Sequence, residues 1–245
     1  MDYSAVAVVV FALAMGGTLK GATGMGAPLM AIPIMASQFD VRLAVVIMVI
    51  PSIVTNVVQL WQYRRHLLPG GFSRRYAIGG AAGALLGTAL LAYLPERALS
   101  LGLGTAVVAY IALRLSRPDL KLPFETALKF SVPAGVSAGV LQGASGISAP
   151  VSVTYLNAMR LDRATFVASV SVIFMAMASL QVPSLIWFGL LDWHRFWLSC
   201  FAVIPLLLFM PVGERIARRI SPKVFDRLIL VVLALLAARL IWSSL

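Results

Sequence analysis

The sequence predicts an all-α polytopic membrane protein built from two inverted repeats, each a re-entrant, broken-helix hairpin followed by three transmembrane helices. Three observations carry that expectation. Of the 245 residues 60% are hydrophobic and 12% charged, against about 25% charged in soluble domains. The apolar residues fall into ten runs separated by short basic clusters. Finally, Gly21-Ala-Thr-Gly-Met-Gly-Ala-Pro28 recurs 122 positions later as Gly143-Ala-Ser-Gly-Ile-Ser-Ala-Pro150. The same offset pairs Asp40 with Asp162, Val45 with Val167 and Gln59 with Gln181, so repeats 1–122 and 123–245 are expected within one membrane domain.

The apolar runs cover roughly 4–19, 25–37, 43–62, 72–94, 97–115, 124–141, 147–158, 165–190, 195–212 and 223–243. Six of them, 43–62, 72–94, 97–115, 165–190, 195–212 and 223–243, are long enough, or nearly so, to cross about 30 Å of hydrocarbon. The other four form two pairs, 4–19 with 25–37 and 124–141 with 147–158. Each is a longer and a shorter piece joined by the glycine motif.

Loop charge decides how the pairs are used. If each pair leaves the membrane on the side it entered, one face collects Arg64, Arg65, Arg74, Arg75, Arg114, Arg117, Lys121, Lys129, Arg160, Arg163, Arg215, Arg218, Arg219, Lys223 and Arg227. The other face keeps Arg42, Arg97, Arg195 and Arg239. If each pair crosses once, the bias vanishes. The first arrangement obeys the positive-inside rule and inverts the second half, with both termini outside. The net charge of +11 therefore belongs to cytoplasmic loops rather than to a nucleic-acid surface. Cys200 stands alone, so neither an internal disulfide nor a cysteine metal cluster is expected, and no cofactor motif is present. Met1-Asp2-Tyr3-Ser4 lacks a positive n-region, so signal cleavage is not expected.

Non-helical backbone at membrane depth is tolerated only inside protein or beside a wet cavity. In each motif the Ala-Pro pair opens a short second helix, whose first turn offers unpaired N–H groups and a partial positive charge. Two such ends converging at the midplane would form an anion site, the pattern of a secondary transporter. The expected substrate contacts are Thr23, Gly24, Met25 and Gly26 in the first copy and Ser145, Gly146, Ile147 and Ser148 in the second, with Thr23, Ser145 and Ser148 as hydroxyl donors. Lys20 flanks the first motif, where a charge is costly; it either faces a cavity and helps hold an anion or snorkels to an interface, and Gln142 is its counterpart. Asn56, Gln59 and Gln181 are expected along the pathway, the two glutamines toward the cytoplasmic ends of equivalent helices. Asp40 and Asp162 read as helix N-caps. No carboxylate is clearly embedded, so no Asp/Glu proton relay is visible. The tryptophans fall at segment ends, as an interfacial belt requires.

Two other readings compete. The glycines alone could serve helix packing, as in a non-transporting membrane subunit. Gly143-Ala-Ser145-Gly146 also resembles the G-x-S-G of rhomboid intramembrane proteases, with His194 downstream. However, the first copy offers no such nucleophile, and His194 belongs to an interfacial turn on the opposite side. No enzyme is expected.

Over essentially its whole length the chain resembles the TauE/SafE, or TSUP, sulfite exporters. Gly21-Ala-Thr-Gly-Met-Gly-Ala-Pro-Leu-Met-Ala-Ile-Pro33 is similar to their first glycine signature, and Gly143 to Pro150 to a weaker second. The resemblance implies a multi-pass protein of the bacterial inner membrane, where the outside termini expected from loop charge are periplasmic. It also implies a sulfur-containing anion, such as sulfite or an organosulfonate, as the exported substrate. The chain leaves homodimerisation open.

Overall fold

The computed structural model describes residues 3–68, 71–116, 120–219 and 222–244. Asp2, Arg117 and Asp119 lie outside the described residues, as do the side chains of Lys223 and Asp226. Among the described residues the chain forms ten α-helices and no strand. They are α1 (Tyr3–Thr23), α2 (Ala27–Ala36), α3 (Val41–Tyr63), α4 (Phe72–Tyr93), α5 (Glu96–Ser116), α6 (Phe124–Ser145), α7 (Ala149–Ala158), α8 (Arg163–Trp187), α9 (Trp193–Arg219) and α10 (Pro222–Trp242). Six of these, α1, α3, α4, α5, α8 and α9, have the length and hydropathy to cross a membrane. The protein is a polytopic membrane protein. The sequence reading differs in several places: α6 runs past 141 to Ser145, α9 runs past 212 to Arg219, and the six candidate spans include α1 but not the run 223–243. Lys20 interrupts the hydropathy of the first run, yet α1 continues through it to Thr23 and reaches spanning length.

Local chemistry explains the helix starts. The Asp40 carboxylate accepts from Leu43 N at 2.6 Å, and Asp162 accepts from Ala164 N and Thr165 N at 3.0 and 3.1 Å. Both aspartates therefore cap the orphan N–H groups of α3 and α8. Pro28 and Pro150 stand in the first turns of α2 and α7, where a missing N–H costs nothing.

Lipid gives apolar helices no hydrophobic reason to associate, so close backbone packing has to hold the bundle together. Glycines provide it. Along α4 and α6, Tyr76 and Gly80 face Gly135, Gly80 and Ala84 face Gly139, and Ala84 and Thr88 face Gly143; a Cβ on any of the three α6 glycines would strike the opposing backbone. The pairs advance in step, so α4 and α6 are parallel. The same contact occurs between α1 and α9, where Gly17 lies on Leu206 and Gly21 on Met210. At the 122-residue offset α9 corresponds to α4 and α1 to α6, so one helix pairing appears twice with the halves exchanged.

Hydrogen bonds fix the remaining directions. Near the starts of α9 and α3, Ser199 Oγ donates to Ile47 O and accepts from Ile50 N. Toward their other ends, Lys20 near the end of α1 bonds Asn56 of α3. Hence α1, α3 and α9 share a direction, and the intervening α2 returns alongside α1. Helix α8 runs the other way. Its Val167 meets Gly24, and Val45 near the start of α3 meets Gly146. Further along α8, Gln181 reaches the end of α6. Gln59 and Gln181 consequently lie at opposite ends of the bundle, not both toward one face, because their helices are antiparallel. Trp61, Trp187, Trp193, Trp197 and Trp242 are all exposed near helix ends.

Candidate functional site

The glycine motif divides into positions with different physical roles. Gly24 and Gly146 end α1 and α6 in the left-handed conformation, φ 80° and 69°. Their N–H groups close on Lys20 O and Gln142 O, each at 2.7 Å, an αL helix stop that favours glycine. Gly26 is also left-handed, φ 83°, as the N-cap of α2. Its counterpart Ser148 caps α7 at φ −103°, so a side chain is tolerated in the second copy. Gly21 and Gly143, by contrast, are packing glycines against α9 and α4.

The three hydroxyls expected as donors are not equivalent. Thr23 Oγ1 lies 2.8 Å from the Leu19 and Met25 carbonyls and accepts from Met25 N, so it pins the first break. Ser145 Oγ donates back to Leu141 O. Ser148 Oγ is buried, 2% exposed, and has no partner. Three further buried atoms lack partners, Gln59 Oε1, Ser73 Oγ and Ser169 Oγ; nothing in the sequence singled out Ser73 or Ser169.

Lys20 is 2% exposed and donates to Asn56 Oδ1 at 2.7 Å, with Asn56 1% exposed. Among the described residues no carboxylate pairs with it. This is a cation held at depth by a neutral acceptor, rather than one snorkelling to the interface. In the second half Gln142 is also buried, and Gln181 Nε2 donates to the Gln142 and Gly143 carbonyls at 3.3 and 3.4 Å.

The first turns of α2 and α7 face one cavity. Gly26 and Leu29 line one cavity of about 50 Å³ together with Thr23, Met25, Ala149 and Val153. Tyr110 and Arg114 border it and also line a larger open cavity of about 460 Å³. Thr23 and Met25 line that larger space too, with Thr154, Asn157, Arg160 and Arg163 among its other walls. It lies at the end carrying the basic loops. Lys20, Gly24, Asn56, Gln59, Gln142, Ser145, Gly146, Ile147, Ser148 and Gln181 are not among the residues lining either space. At the opposite end the equivalent positions Ser145, Ile147, Ile32, Met35 and Val41 are buried, whereas Gln38 and Leu235, the counterparts of Arg160 and Leu113, are exposed. There Arg42 pairs with Glu96 at 3.3 Å and Arg239 bonds Ser37 O. The breaks are thus approached by a cavity from one side and covered by packed side chains on the other. Sequence reasoning missed the vestibule, having used Arg114, Arg160 and Arg163 only as loop charges.

A family model described as "Sulfite exporter TauE/SafE" matches residues 8–240. The chain belongs to that family. No curated protein and no solved structure matches it significantly.

Proposed function

We propose that this TauE/SafE member exports a small sulfur-containing anion, sulfite or an organosulfonate, across a bacterial inner membrane by alternating access. Membership of an exporter family with spanning helices supports a small anion as substrate and the bilayer as setting, and speaks against catalysis. In this reading the two halves form an inverted repeat, and the anion rests at the midplane between the α2 and α7 N-termini. The observation that carries it is the shared cavity of Gly26 and Ala149, which adjoins a basic vestibule, while at the far end the counterparts of Thr23, Met25, Thr154, Asn157 and Arg163 are buried. Helix N-termini direct N–H groups and partial positive charge at an anion. Ser148 Oγ, a free hydroxyl at the α7 N-cap, and Lys20, a full charge one turn before Gly24, line neither space in this conformation, and in this reading they meet the anion only as the halves rearrange during the transport cycle.

An inside-negative potential favours anion export by about 2.3 kcal/mol per charge per 100 mV, so efflux needs no embedded carboxylate. The test is flux of labelled sulfite from proteoliposomes under imposed potentials and pH gradients. Efflux that follows the potential supports this mechanism. Flux that ignores the potential and follows a pH gradient overturns the driving force, and no flux of sulfite, taurine or isethionate overturns the substrate class. The packing glycines Gly21 and Gly143 suit a purely structural role, but helix packing alone does not require the left-handed backbone at Gly24, Gly26 and Gly146.

A further inference from the structure

We propose that the groove between α4 and α8 is a site for an anionic phospholipid, with the phosphate at the α4 N-terminus and an acyl chain along the two helices. This goes beyond the transport reading and does not depend on the substrate. The groove encloses about 490 Å³; Ala81, Val172 and Leu180 wall its apolar length, and Gly71, Ser73 and Arg74 form a polar end. In a bilayer an apolar face alone identifies no ligand, whereas the polar end does. Gly71 is the N-cap of α4, with φ 73° and no side chain to cap with, and a Cβ there would meet nothing within 4 Å. The first N–H groups of this 22-residue helix therefore stay available, with its partial positive charge behind them. Ser73 is a second and independent sign. It is 8% exposed, lines the same groove, and its Oγ has no partner.

Charge selects the occupant. Arg74 shares a stripe of α4 with Ala77, Ile78 and Ala81, at i, i+3, i+4 and i+7, and all four line the groove. Helix α4 meets α6 on its opposite side, along Gly79, Gly83 and Gly87. No Asp or Glu occurs anywhere in residues 41–95 or 163–191, the stretches that supply every wall of the groove. A lipid phosphate is thus met by a guanidinium, a hydroxyl and a helix N-terminus, while an ethanolamine ammonium finds no carboxylate. The 122-residue counterpart at the other end of the bundle is built differently. Trp193, Phe196 and Trp197 stand where the first copy has Gly71, Arg74 and Arg75, and the Trp193 ring lies 5.7 and 5.5 Å from the other two. There protein rings occupy the interfacial level; at the α4 start that level is basic and open, as recognition of an anionic headgroup requires.

The test titrates delipidated full-length protein in detergent with phosphatidylglycerol, phosphatidylethanolamine or inorganic phosphate, following thermal stabilisation and counting bound lipid by native mass spectrometry. Phosphatidylglycerol is expected to stabilise the wild type at lower concentration than phosphatidylethanolamine. Inorganic phosphate, which has no chain to place in the groove, gives no stabilisation. Arg74→Gln raises the half-saturating phosphatidylglycerol concentration about tenfold, the loss of one charge-assisted bond. Arg75→Gln removes the same charge one residue away, off the groove, and shifts it less than twofold. Ala81→Phe fills the groove without touching the polar end and removes the bound lipid from the mass spectrum. Equal shifts in Arg74→Gln and Arg75→Gln overturn the proposal, because diffuse surface charge then accounts for binding. It is also overturned if phosphatidylethanolamine or inorganic phosphate matches phosphatidylglycerol, or if Ala81→Phe keeps lipid at wild-type affinity.

Discussion

The buried pair Lys20–Asn56 gives the sharpest test of whether charge at the first break binds substrate. Both side chains are at most 2% exposed and joined at 2.7 Å. Replacing Lys20 by Met leaves Asn56 Oδ1 without its donor, which costs about 1–3 kcal/mol. Removing a buried cation that lacks a counter-charge relieves desolvation that costs several kcal/mol per ion. The two effects oppose, so Lys20→Met is expected to change stability little. The double variant Lys20→Met/Asn56→Leu also removes the orphaned acceptor and melts at or above the wild-type temperature. Binding behaves differently. A charged hydrogen bond contributes about 1.5–3 kcal/mol, so losing it raises the half-saturating sulfite concentration roughly ten- to 150-fold. The assay pairs a melting curve with sulfite efflux and closes a double-mutant cycle. A folded double variant with wild-type sulfite affinity would refute the assignment of Lys20 to the anion.

Three further outcomes are expected. Gly146→Ala places a Cβ at φ 69° against Ile32 and Val45, costing about 1–3 kcal/mol, while Gly102→Ala on an open face of α5 is neutral or stabilising by up to ~1 kcal/mol; equal melting temperatures for the two variants would contradict the break geometry. Phe72→Ala opens the aromatic cluster of Phe72, Tyr76, Phe124 and Tyr155 and costs about 3–5 kcal/mol, read as a lowered melting temperature. Hydrogen bonds from Thr165 hold the Asp162 carboxyl below its ordinary value of 3.8. A depressed carboxylate pKa stabilises above the unfolded value, and that contribution is lost as pH falls from 3.8 through the folded value. Melting scans of Asp162→Ala should therefore converge on wild type in acid and separate from it at neutral pH.

Much of this architecture could be read from residues, for reasons that also explain the misses. The expected run 25–37 contains α2 (Ala27–Ala36), because Gly-Met-Gly-Ala-Pro punctuates the chain by local backbone chemistry. The Asp40 and Asp162 caps were legible for the same reason. Depth and partnership were not. Lys20 halts a hydropathy count, but burial against Asn56, 36 residues away, lets α1 run on. Ser145 and Ser148 look alike in sequence, yet the helical Ser145 has Leu141 O one turn behind it, while the cap position of Ser148 leaves its hydroxyl unpartnered. The arginine vestibule needs α5, α7 and α8 in one place, which no local pattern encodes.

The two halves also differ where a duplicated site must differ. Two cations brought to one low-dielectric site repel by about 4 kcal/mol at 4 Å and an effective dielectric of 20, and a monoanion can neutralise only one of them. Full charge is therefore useful once. It resides in the first half as Lys20 with Asn56; the second half has Gln142 and Ala178 at those positions. Anchoring is divided too. Tyr155 stands where the first half has Pro33. It stacks on Phe72 and donates to Ala127 O at 2.7 Å, fastening α7 to α4 and α6. Helix α2, interrupted by Pro33, has no ring at the equivalent position. Sequence divergence between the copies thus fits the proposed reading, in which a single anion is held between one charged and one neutral half.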